Sequence, residues 1–287
     1  MRHRVRNWHF FVWLTAACTA STVQPGRPTT PLPSLPTPVP SPAGTGSWTF
    51  NYVPGSVSYQ ITRNAEIESQ SDSGNHREIS TNTTHEWLTL EATGDTIYFT
   101  AVVDTFSTMT QGKIGPVQSV QLPVRLSGSF VGDSIVISTD SLAESCNPAS
   151  SALSADLHNL FVRFPAQLSQ GSRWSDSVEL KSCEGMIPTT VHIGRSYLVS
   201  GESTYEGIPV LVVQRIDAIR AHGEGAQQQH RLTLDASGTG KSLYYLSTRD
   251  GRIVRLNSGQ DLNLAFTVAG QIHRFRQSSK QDFSYAR

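Results

Sequence analysis

Three cysteines, nine histidines and two glycine-bracketed hydroxyl segments are the residues here whose types could do chemistry. The cysteines are Cys18, Cys146 and Cys183, and an odd number in an exported protein leaves one thiol to be explained. No Cys-x-x-Cys is present, and neither Cys146 nor Cys183 has a histidine at ligand spacing, so no zinc site is expected. The histidines are scattered, without His-x-His or His-Glu-x-x-His patterns. His222 and His230 flank one turn and form only a weak metal candidate. Each histidine is expected at a surface or edge, and Trp87 and Trp174, both in strand-like segments, in the core.

The hydroxyl segments do not complete a catalytic pattern. Gly238-Thr239-Gly240-Lys241-Ser242 resembles the end of a phosphate-binding loop, but Asp235 occupies the position of that motif's first glycine. A strand-like Leu243-Tyr244-Tyr245-Leu246 follows where the motif needs a helix, so a hairpin turn is expected. Gly132-Asp133-Ser134-Ile135 resembles the nucleophile block of GDS-type lipases and esterases. That family needs an aspartate and a histidine close together near the C-terminus, whereas the position three before His273 is Gly270. Gly94-Asp95-Thr96-Ile97 repeats the pattern, which marks both as turns. A secreted esterase using Ser134 is the minor alternative. The main expectation is a non-enzyme with no catalytic residues, no cofactor and no metal.

The N-terminus carries a different chemistry. Arg2, Arg4 and Arg6 precede a short apolar run, Phe10 to Leu14, and then the small residues Thr15-Ala16-Ala17. That order is a secretory signal, too short to span a bilayer. Leu14-Thr15-Ala16-Ala17-Cys18 resembles the lipobox of bacterial lipoproteins, with Thr15 where the family usually has leucine. The resemblance implies cleavage after residue 17, a lipidated Cys18 and a membrane-anchored location in the cell envelope. Ordinary cleavage, giving a soluble secreted protein, is the alternative. In the same family, Thr19 rather than aspartate after the cysteine fits an outer-membrane destination. With Cys18 lipidated, Cys146 and Cys183 remain, and an oxidising compartment allows them to pair.

Between Thr19 and Ser47 the only charge is Arg27, and eight prolines fall between Pro25 and Pro42. Proline fixes φ and lacks an amide donor, so residues 18–47 are expected to form an extended polyproline-II tether. From Trp48 to residue 287, two-residue alternation broken by turn residues predicts one large β-domain. Tyr59, Ile61, Ala65 and Ile67 show the alternation. Turns are expected at residues 72–75, 94–95, 132–133, 201–202, 223–225, 237–238 and 250–251. Leu153, Leu157, Leu160 and Phe161 recur at helical spacing and predict one short helix over 149–162. The absence of βαβ alternation predicts an all-β, mainly antiparallel fold: a strongly curved sheet, half-barrel or barrel with one short helix.

Charge narrows the partners. Removing residues 1–17 leaves 20 basic against 23 acidic side chains, which gives nucleic acid no concentrated basic footprint. Residues 48–140 hold 4 basic and 10 acidic side chains, whereas 241–287 hold 8 and 3, so the two ends are expected to pair across adjacent strands. Residues 56–287 resemble bacterial lipoproteins with one extended antiparallel sheet. The resembling segments are Val57-Ser58-Tyr59-Gln60-Ile61-Thr62, Phe164-Pro165 with Gly171-Ser172-Arg173-Trp174, and Tyr245 through Ile253. More distantly the pattern is similar to Lol-type lipoprotein carriers, whose curved sheet wraps a helix around an apolar cavity. That similarity is one of fold type and transfers no function. The leading expectation is a membrane-tethered, non-enzymatic β-domain that binds a lipid or other apolar ligand inside the curved sheet. The alternative is an envelope interaction or scaffold protein without a cavity.

Overall fold

The computed structural model describes residues 46–71, 74–111, 120, 122–132, 134–138, 148–184, 187–227 and 230–286, with dipeptides at 11–12 and 16–17. The dipeptides, β1 (Phe11–Val12) and β2 (Ala16–Ala17), pair with each other. At the domain's start, β3 (Ser47–Trp48) pairs with β9 (Leu168–Ser169).

Eleven strands form one antiparallel sheet that curls into a half-barrel. A first meander holds β4 (Gly55–Ser71), β5 (Gly74–Thr93), β6 (Thr96–Gln111), β7 (Val124–Val131) and β8 (Ser134–Ser138). Helix α1 (Pro148–Leu160) follows. The second meander holds β10 (Arg173–Glu184), β11 (Ile187–Tyr205), β12 (Ile208–Gln227), β13 (His230–Ser247), β14 (Ile253–Val268) and β15 (Gln271–Ala286). The last strand, β15, pairs with the first, β4, leaving β8 and β10 as the two edges. Arg276 stands directly opposite Glu68 in that closure, the complementary pairing the charge division suggested.

Fewer and longer strands form than turn chemistry implied. Gly238 and Gly240 lie inside β13, Gly223 and Gly225 inside β12, and Gly201 at a bulge within β11. A side chain at Gly238 would place its Cβ 2.0 Å from the Asp261 carbonyl oxygen, so glycine there lets adjacent strands curl together. The phosphate-loop-like segment is therefore mid-strand, not a hairpin turn. Conversely, Leu262 to Arg276 is two strands, because the chain turns at Ala269-Gly270. Both turn residues have positive φ, 49° and 81°, the pattern of a type I′ hairpin. Alanine is disfavoured in that conformation. Ala269→Asn, at an exposed turn, is expected to stabilise the fold by about 0.5–1 kcal/mol, read as a higher urea midpoint at unchanged m.

Helix α1 lies against the concave face. Its Leu153, Leu157 and Leu160, with Phe161 and Val162 beyond it, are buried in the main core. The sheet side of that core includes Val199, Val213, Tyr244, Leu256, Phe283 and Ile61, which stand in register across six strands. Trp174 joins them, stacked on Tyr197 at 4.7 Å. Trp87 does not: Leu88 and Leu90 fix the inward register of β5 and turn Trp87 outward, where its Nε1 donates to Asp104 at 2.8 Å.

Candidate functional site

The concave face is the surface that the fold shapes most strongly, and it is built in tiers. At about 3.3 Å per residue, the 20-residue β12 runs about 65 Å, whereas the 13-residue α1 spans about 20 Å. The helix therefore covers only one portion of the face. Alongside and beyond its apolar tier the inward positions become polar, then apolar again.

The first polar tier, in register across β12 to β5, reads Arg215, Ser242, Ser258, Gln281, Arg63 and Asn82. Arg215 is 2% exposed. Its Nη2 donates to Asp217 Oδ2 at 2.9 Å and to Asn159 Oδ1 at 3.0 Å, and its Nη1 donates to the Tyr244 hydroxyl. That hydroxyl in turn donates to the Asn159 carbonyl at 3.1 Å. Burial opposes the charge on Arg215, but Tyr244 and Asp217 more than offset it and hold its pKa above the ordinary value. Arg195, on β11, grips Asp176 of β10 in two bonds of 2.6 and 2.7 Å and donates to the His158 carbonyl at 2.8 Å. Both arginines thus meet the last turn of α1, where unsatisfied carbonyls and the negative end of the helix dipole favour cations.

Arg63 approaches the same helix from β4. It donates to Thr84 at 2.8 Å and forms an ion pair with Asp156, whose other carboxylate oxygen accepts from Gln281 at 2.6 Å. Glu86 lies 3.5 Å from Arg63. Burial pushes the Glu86 pKa up to about 7, against the opposing pull of Arg63 and Thr84. Asp156 makes the closer contact, so the guanidinium only partly compensates Glu86. His158 is buried rather than at a surface; burial holds its pKa down, and Nδ1 donates to the Ser154 carbonyl.

The next tier runs Asp217, Gly240, Gln260, Ser279, Ala65 and Ser80, a band dominated by small side chains. Beyond it a second apolar cluster contains Ile187, Ile219, Leu232, Leu234, Leu262, Leu264 and Phe266, all buried. No residue of α1 belongs to that cluster.

The two sheet edges face each other across a groove of about 470 Å³ lined by Ser134, Arg163, Pro165, Trp174 and Asp176, among others. Ser134 opens β8, and the groove's described lining holds no histidine that could activate it. Cys18 and Cys146 lie outside the described residues, while Cys183 is on β10. His222 is bonded to Asp235 at 2.8 Å, and the described residues contain no metal-binding cluster. The arginine–helix network was not anticipated. Its signal was present: Arg63 interrupts the inward series Tyr59, Ile61, Ala65, Ile67, and Arg215 and Asp217 interrupt Leu211, Val213, Ile219.

No family model matches the chain, and no curated protein does. Among solved structures, it is similar to the OccK2 (OpdF) protein of Pseudomonas aeruginosa at 8% identity, covering 80% of this chain and 97% of that one, with TM-score 0.24. It is also similar to an outer membrane channel from Pseudomonas putida F1 at 7% identity, covering 83% and 98%, with TM-score 0.23.

Proposed function

We propose that this chain is an exported, lipid-anchored protein of the cell envelope whose curled sheet holds a lipid or other apolar ligand, without catalysis. The observation that carries the reading is the second apolar cluster. It lies on the concave side, apart from the core that α1 fills, and includes two leucines from β13 and three aliphatic or aromatic side chains from β14. Apolar surface gathered in a concavity is the usual lining of a small-molecule site. The N-terminal sequence supplies the anchor and tether, with Cys18 as lipid acceptor. Thr19 is consistent with an outer-membrane address.

The same reading includes a Cys146–Cys183 disulfide. Helix α1 begins two residues after Cys146 and packs against β10, the strand that carries Cys183, so the bond would fasten helix to edge strand. Alkylation of the unreduced, denatured protein is expected to label neither residue and, after reduction, both. Labelling without reductant would remove the bridge. An interaction or scaffold role is the second reading, and the described outer edge of β10, which has no partner strand, favours it.

The deciding measurement is saturable binding of an apolar fluorescent dye to the mature protein, with displacement by lipid. Saturation and displacement are expected. Failure of both would leave the scaffold reading. Intact mass from native membranes tests the anchor: acyl chains on a chain beginning at Cys18 are expected, and an intact Met1 would overturn the assignment.

A further inference from the structure

The concavity beyond α1 is apolar at its far end and polar on one flank. On β11 to β14, the inward positions past the polar tiers are apolar, among them Ile193, Ile219, Leu262, Leu264 and Phe266. Level with Leu262, the neighbouring strands carry Gln277, Ile67 and Glu78, and the polar tiers nearer α1 add Ser80 and Asn82 on β5 and Thr108, opposite Asn82, on β6. These share the inward register of Phe283, Leu88 and Val103, so they too face the interior.

This polar flank is buried and incompletely bonded. Gln277 is 2% exposed, Ser80 1% and Asn82 8%. The Gln277 Oε1, Asn82 Oδ1, Ser80 Oγ and Thr108 Oγ1 atoms have no hydrogen-bond partner. Buried polar groups left in this state cost about 1–3 kcal/mol each, and native proteins keep few of them without a function. Opposite Ser80 stands Ala65, whose short side chain leaves the flank shallow there, between Arg63 opposite Asn82 and Ile67 opposite Glu78. Two of the four orphans are amide oxygens, which can only accept, and the two hydroxyls can accept as well. Charge points the same way: Glu86 and Asp156 are buried on this side with Arg63 as their cationic neighbour. An anionic group would meet acceptors and carboxylates.

We propose that the concavity is an amphiphile site with an apolar end and a polar flank, in which the cluster around Leu264 and Phe266 takes an acyl chain and Asn82, Ser80 and Thr108 accept hydrogen bonds from an uncharged, hydroxylated headgroup. The inference rests on the ligand reading given above and adds to it the headgroup chemistry and its position. It separates hydroxylated lipids from free fatty acids, which share the chain but bring a carboxylate.

The test is displacement of an apolar dye from the mature protein by three probes of one chain length: monolaurin, laurate and methyl laurate. Monolaurin is expected to bind about tenfold more tightly than methyl laurate, the worth of about one net hydrogen bond, with laurate weaker than monolaurin. Asn82→Leu and Thr108→Val remove orphaned polar atoms, so both variants are expected to fold, with melting temperatures at or above that of the parent. In each, monolaurin should fall to the affinity of methyl laurate. Equal binding of monolaurin and methyl laurate to the parent, or preference for laurate, would overturn the headgroup assignment while leaving the apolar-ligand reading intact. If no probe displaces the dye and the dye itself does not saturate, the ligand reading fails and this inference with it.

Discussion

Arg215→Leu is expected to destabilise the domain by about 3–5 kcal/mol, measured as a fall in the urea midpoint. Leucine removes one charge from a network in which Asp217, Tyr244 and Asn159 were satisfied by it. Asp217 is 2% exposed and would keep a buried carboxylate with its guanidinium gone. That is the costly half of a broken buried pair, since desolvation remains when Coulombic attraction is lost. The Tyr244 hydroxyl would lose its donor, and the end of α1 would lose the Arg215 bond to the Asn159 side chain. Arg215→Lys should recover only part of the loss, because one ammonium cannot reach Asp217, Tyr244 and Asn159 in a planar fork. The double substitution Arg215→Leu with Asp217→Leu should be much milder than the single one. A loss in the single variant no larger than in the double would show that the stranded carboxylate is not the source of the cost.

This network also marks where the sequence stops being readable. The helix is legible because Leu153, Leu157 and Leu160 repeat at 3.6-residue spacing and their burial does not depend on knowing the partner. The turns at Gly94-Asp95 and Asp250-Gly251 are legible because glycine follows or precedes a residue favoured in turns. The same glycine chemistry misleads at Gly223, Gly238 and Gly240, where it serves close strand approach within a curled sheet. At Ala269 the reverse holds: the turn is enforced by the pairing of β14 with β15 on either side, and alanine gives no warning of it. Inward charges are hardest to see. On a strand, Arg63 or Glu86 has the same period as the buried residues around it, yet polarity alone suggests the solvent face. Only the helix arriving over the concave side, with Asp156 and its terminal carbonyls, makes their burial tolerable. That arrival is a property of the folded chain, set by the long connection from β8 to β10.

Glu86→Gln is expected to change how stability depends on pH more than any other single substitution on this face. Burial raises the carboxyl pKa from its ordinary value to about 7. The folded state therefore binds a proton that the unfolded state releases between pH 4.5 and about 7. Through that window the native protein holds more protons, so the stability contributed by Glu86 falls as pH rises, the opposite of a carboxylate held low by a salt bridge. The difference between the two pKa values corresponds to about 3 kcal/mol at most, once pH exceeds both. Glutamine mimics the protonated side chain, keeping a donor and an acceptor near Thr84 without the buried charge. Unfolding by urea at pH 4 should then give nearly equal stabilities for parent and variant. At pH 8 the variant should be the more stable, by about 2–3 kcal/mol. Should the variant instead lose stability at pH 8, the Arg63–Glu86 attraction would outweigh desolvation, and the carboxylate would be part of the helix latch rather than a cost borne beside it.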